Sequence, residues 1–157
     1  MTATTTSNST WGHKTFFAQL AQAADQLDEA EELHREAALL ARKETPGDWL
    51  PVAFNLTALG AISILKGEYE IAQMFLTEAL EIRRMRLPRH HRQIAEVLHC
   101  LACTYHGLGQ YDLAQGYYRQ TLECIPYLPD SHPEKAQILV NLLACYDEAQ
   151  TQTAPAA

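Results

Sequence analysis

The sequence predicts an all-α fold: an α-solenoid of about three helix-turn-helix repeats with one closing helix at its C-terminal end. Two observations carry this expectation. The first is a period. Ala30, Ala72 and Ala114 stand 42 residues apart, and each follows Asp25, Gly67 or Gly109 by five positions and Leu27, Tyr69 or Tyr111 by three. Ala37, Ala79 and Thr121 come seven positions after them. The second is a matching upstream segment, in which Leu59-Gly60 aligns with Leu101-Ala102 and Ser63 with Tyr105. Bulky and small residues spaced three, four or seven apart share one helical face and let neighbouring helices interlock. In Lys66-Gly67-Glu68 and Leu108-Gly109-Gln110 a residue tolerant of positive φ ends the first helix of a pair.

In chain order, the first pair is expected at about residues 14–23 and 27–43, the second at 50–66 and 69–86, and the third at 92–107 and 111–124. A last helix follows at 133–148. Asp48 before Pro51 and Ser131 before Pro133 place a capping side chain ahead of a proline tolerated in the first helical turn. Pro46, Pro88, Pro126 and Pro129 fall in the linkers. The repeat domain thus runs over about 13–149, with repeats at 14–47, 48–89 and 90–131. The tails 1–12 and 150–157 lack apolar periodicity and are expected to be disordered. The closing helix would cover the apolar end of the array with Asp147, Glu148 and Gln150 on its far side. The alternative is an array that continues.

These offsets resemble the tetratricopeptide repeat, which places Gly or Ala, Tyr, Ala and Ala across a helix-turn-helix. The usual unit has about 34 residues. The longer period here, with His132-Pro133-Glu134-Lys135-Ala136-Gln137-Ile138-Leu139-Val140-Asn141-Leu142, is similar to the variety typified by kinesin light chains. The resemblance spans about residues 14–148. It implies a right-handed solenoid whose first helices line a concave groove, and cargo-type recognition of a peptide. The His-Pro pair is whole only at His132-Pro133, with His91-Arg92 and Asp48-Trp49 at the earlier places. The family's groove asparagine stands only at Asn141, with Cys100, Ala58 and Phe16 elsewhere, so a binding row of asparagines is not expected.

Carried onto this chain, the inward positions are Thr15, Gln19 and Gln22 in the first unit and Phe54, Thr57, Ala61 and Ile64 in the second. The third offers Glu96, His99, Cys103 and His106; the last offers Gln137, Val140, Asn141 and Asp147. An apolar patch at Phe54, Ala61 and Ile64 beside hydrogen-bonding groups suits an extended or helical peptide with one buried anchor. The competing account is that these residues are core.

Bulk properties narrow the classes. At 157 residues and 47% apolar content the chain suffices for one continuous core. The apolar run from Val52 to Leu65 is broken by Asn55 and Thr57 and is too short to span a bilayer. No secretory signal is visible at Met1 to Thr10, so a cytoplasmic location is expected, and the acceptor motifs Asn8-Ser9-Thr10 and Asn55-Leu56-Thr57 then have no consequence. Cys100, Cys103, Cys124 and Cys145 fall inside helices, where free thiols fill core gaps. The net charge is −7. Asp25, Asp28, Glu29, Glu31, Glu32 and Glu36 make one helix acidic, while Arg83, Arg84, Arg86, Arg89 and Arg92 gather around one loop. Neither nucleic acid nor membrane is an expected partner. The arginines read as a solvated, dipole-favoured helix end, or as a patch for an acidic partner.

No catalytic arrangement emerges. Gly107-Leu108-Gly109 lacks the third glycine of a dinucleotide fingerprint, and Glu31-Glu32 and Asp147-Glu148 lie on solvated faces. No enzyme activity, cofactor or metal is expected. His99, Cys103 and His106 do share a helical face, and Cys100-x-x-Cys103 is a possible ligand pair. One straight helix cannot aim both Cys100 and His106 at a single ion. The expected role is a non-catalytic scaffold binding a peptide of another protein. The alternatives are a self-associating subunit or a metal- or redox-responsive regulator built on Cys100, Cys103, His99 and His106.

Overall fold

The computed structural model describes residues 9–153. Its helices are α1 (Thr10–Ala23), α2 (Leu27–Glu44), α3 (Leu50–Leu65), α4 (Tyr69–Arg86), α5 (Arg92–Gly107), α6 (Tyr111–Cys124) and α7 (Pro133–Thr153). Helices α2 to α6 begin and end within one residue of the bounds expected from the sequence. The outer two are longer. Ser9 Oγ accepts the Gly12 amide at 3.2 Å and starts α1 early, and α7 continues to Thr153. Residues 10–12 and 150–153, read as irregular tails, are therefore helical. Residues 1–8, Asn8 among them, and 154–157 lie outside the described residues.

The turns explain the spacing. Asp25, Gly67 and Gly109 have φ of 59°, 74° and 70°. The next residue reaches back in each case: Gln26 N to Ala21 O at 2.9 Å, Glu68 N to Ser63 O at 2.8 Å and Gln110 N to Tyr105 O at 2.9 Å. These bonds satisfy carbonyls that a helix end would leave open. At the other ends, Asp48 Oδ1 accepts the Leu50 amide at 3.2 Å. The cap expected at Ser131 is instead His132, whose Nδ1 accepts the Glu134 amide at 3.3 Å. His132 directly precedes Pro133, so its ring reaches the open amide. His91 does the same for Gln93 at 3.2 Å.

Successive helices pack on one another, and α3 also touches α5 directly. Two layers result. Thr15 to Asn55 and His106 to Glu148 join odd-numbered helices; Arg42 to Glu78 and Arg84 to Gln120 join even-numbered ones. Ala30, Ala72, Ala114, Ala37, Ala79 and Thr121 are all buried in the seams between them. Gly60 shows how tight these seams are, because an added Cβ would stand 2.5 Å from Leu76 Cγ. All four cysteines are free thiols; Cys124 and Cys145 are buried, Cys100 and Cys103 half-buried. No described helix is long and apolar enough to cross a membrane.

The junctions are not identical inside. His34, Leu76 and Tyr118 occupy one column of the repeat, and Asn55 and Val97 another; all five are buried. At the first junction Asn55 Oδ1 accepts from Thr15 Oγ1 at 3.0 Å and from His34 Nδ1 at 2.8 Å, while Asn55 Nδ2 donates to Pro51 O at 2.9 Å. Because a carbonyl oxygen only accepts, His34 carries its proton on Nδ1. Its Nε2 is buried without a partner. Burial holds its pKa below the usual 6.5, against the pull of the Asn55 bond.

Candidate functional site

The open side of the odd-numbered layer is a set of stripes, one per helix, formed by residues three and four apart that turn away from the even-numbered helices. On α3 the stripe is apolar: Phe54 is exposed, and Thr57, Ala61 and Ile64 are half-buried. Thr57 Oγ1 donates back to Ala53 O at 2.7 Å, so it presents mainly its methyl. Leu65, absent from the sequence-based selection, extends this strip at 66% exposure. It follows Ala61 by one helical turn, and that spacing could have found it.

The α5 stripe carries the chemistry but has spent much of it internally. Glu96, exposed, pairs with Arg83 at 3.3 Å. His99 Nε2 lies 3.5 Å from Asn141 Nδ2, and its ring sits 6.1 Å from that of Tyr118. Tyr118 donates to Cys103 Sγ at 3.6 Å. His106 Nε2 meets Glu148 at 3.0 Å and packs edge-on to Tyr111. The structure thus brings His99, Cys103 and His106 together as the seam between α5, α6 and α7. Burial pushes the Cys100 thiol up to about 12 and raises that of Cys103, so neither is thiolate near neutrality. The His106 bond holds the Glu148 carboxyl below its ordinary value. Among the described residues no three His, Cys, Asp or Glu side chains converge to hold a metal ion.

On α7, Gln137 Nε2 donates to Asn141 Oδ1 at 2.9 Å. Val140 is exposed, as is Asp147. On α1, Gln19 is exposed and Gln22 half-buried, but Thr15 is buried by its bond to Asn55 and leaves the face. The large exposed groups of α1 are Phe16, Phe17 and Leu20, which the sequence reading did not select. One arginine also departs from expectation. Arg83 is 1% exposed, not a solvated helix end, and donates to Gln93 O and Glu96.

A family model described as "Tetratricopeptide repeat" matches residues 13–85 and, overlapping, 53–126. No curated protein matches the chain. Among solved structures, BtubC (BKLC) from P. vanneervenii superposes with a TM-score of 0.78 at 21% identity, covering 91% of this chain and 60% of that one. Nearly identical TPR-like repeats assigned to a kinesin light chain of Podospora anserina give 0.77 at 20% identity, covering 88% and 66%. A TPR-like protein from Chlorobium tepidum gives 0.71 at 18% identity, covering 92% and 94%. At these identities the structures speak for the fold, an all-α repeat solenoid. With the family model covering most of its length, the chain belongs to the tetratricopeptide repeat family.

Proposed function

We propose that the protein is a non-catalytic scaffold that holds a segment of another protein against the open face of its odd-numbered helices. The observation that carries this reading is the strip on α3. Phe54 and Leu65 stand 37% and 66% exposed, flanking Ala61 and Ile64, beside a hydrogen-bonding surface at Glu96, His99, Gln137 and Asn141. An apolar strip bordered by polar groups suits one buried anchor and several orienting bonds. Repeat proteins of this family act as interaction scaffolds, and one of the similar structures carries repeats assigned to a kinesin light chain, which supports a protein segment as the ligand class. The test is cross-linking from a photoreactive residue at position 57 in the native host. Partners captured there and lost on Phe54→Glu and Ala61→Arg support the proposal; capture unaffected by both contradicts it.

A second reading, self-association, is favoured by the exposed apolar face of α1. Phe17 and Leu20 occupy the columns of Leu59 and Ile62, which are buried in α3, yet here they are 55% and 50% exposed. Light scattering decides: a species larger than a monomer that Phe17→Glu with Leu20→Glu dissociates supports it, and a concentration-independent monomer removes it.

A further inference from the structure

The repeat lets one cleft be compared with its own copy one unit earlier, and the comparison isolates a change of charge. In the upstream copy Arg42, on α2, is neutralised by an ion pair with Glu78 on α4. Forty-two residues on, Arg84 faces Gln120 at 3.2 Å, so the arginine keeps a hydrogen bond and loses its counter-charge. The neighbouring columns move the same way. Glu44, Gly47 and Asp48 upstream become Arg86, Arg89 and His90 downstream. Neither Arg86 nor Arg89 has a carboxylate within ion-pair distance among the described residues.

Arg84, Arg89 and His90 line a cleft of about 390 Å³ between α4, α5, α6 and the loop joining α4 to α5. Its floor is apolar, made by Leu87, Ile94, Leu98 and Cys124. His90 is fixed at the rim by a 3.1 Å bond from Nδ1 to Glu123 O. Glu123 supplies the one carboxylate of the lining. On a chain of net charge −7, two arginines without an ion-pair partner at an apolar pocket, Arg84 and Arg89, are complementary to a specific ligand chemistry.

We infer that this cleft docks an acidic peptide segment of a partner protein, with one large apolar side chain on the floor and flanking carboxylates on Arg84 and Arg89. The site lies among the even-numbered helices, away from the Phe54 strip, so it stands or falls independently of the scaffold face.

The test is fluorescence anisotropy on the full chain. The probe is a labelled short peptide of glutamate and serine with a single central leucine. Saturable binding at low salt is expected, weakened about tenfold or more by Arg84→Glu with Arg89→Glu and by raised salt. A serine in place of the peptide's leucine, or Leu87→Ser in the protein, should weaken it as well. Arg42→Glu, the same charge change one repeat upstream, should leave the curve where it was. Circular dichroism establishes that each variant is folded. The inference is overturned by absence of saturable binding, by an unchanged curve in the folded double-arginine variant, or by an oligothymidylate that binds as tightly as the peptide.

Discussion

The first and second junctions of the array share a backbone and differ inside. Where α1, α2 and α3 meet, His34 and Asn55 are buried and bonded to each other; where α3, α4 and α5 meet, the same columns hold Leu76 and Val97. The geometry of a repeat therefore does not prescribe the chemistry of its seam. Small residues such as Ala30 and Ala72 set how closely helices approach, and the remaining volume accepts either a satisfied polar pair or two hydrocarbons. The energetic character still differs. An apolar seam gains from burial at about 25 cal/mol per Å² and fails through cavities. A polar seam gains little net, and fails steeply once one partner is lost.

The largest effect should come from the apolar junction. Leu76→Ala removes a fully buried side chain and should cost about 2–5 kcal/mol in urea-induced unfolding, with the value set by how far Gly60 and its neighbours collapse. Asn55→Val at the polar junction should cost about 1–3 kcal/mol, because Thr15 Oγ1 and His34 Nδ1 lose their acceptor without gaining water. Adding His34→Leu, which copies the second junction into the first, should recover most of that loss. A double substitution as unstable as Asn55→Val alone would show that the columns are not interchangeable. The smallest expected effect lies at the turn. Asp25 holds the left-handed conformation that Gly67 and Gly109 hold in the other pairs, so Asp25→Gly should stabilise by about 0.5–1 kcal/mol in the same assay.

The period made most of the architecture legible in the sequence. Ala30, Ala72 and Ala114, with the turn residues before them, placed the five interior helices to within a residue, because local spacing and turn chemistry suffice for that. Contacts between distant residues were less accessible. Asn55 reads as an interruption of an apolar run until His34 and Thr15 are brought to it by folding. His99, Cys103 and His106 read as open face positions, yet the rings of Tyr111 and Tyr118 and the carboxylate of Glu148 occupy them. Arg83 did leave a signal: its column holds Ala41 and Ile125, both buried, and a residue in a buried column is itself buried.

The difference between the junctions is most directly tested by acid. His34 has a depressed folded pKa, so the stability it permits is present above its unfolded value near 6.5 and is lost as pH falls from there towards the folded value. A proton on Nε2 would have no acceptor in the buried site. His99 is also depressed by burial, but it is only half-buried, so α5 should respond to acid less than the first junction does. Hydrogen exchange read by mass spectrometry near neutral pH and about one and a half units lower, corrected for intrinsic rates, separates the regions. Protection should fall most in α1 to α3 and least in α4 to α6, and His34→Leu with Asn55→Val should remove the larger fall in α1 to α3. Uniform loss along the array, or an acid response that survives the double substitution, would contradict a first junction set apart by the buried His34–Asn55 pair that its neighbours lack.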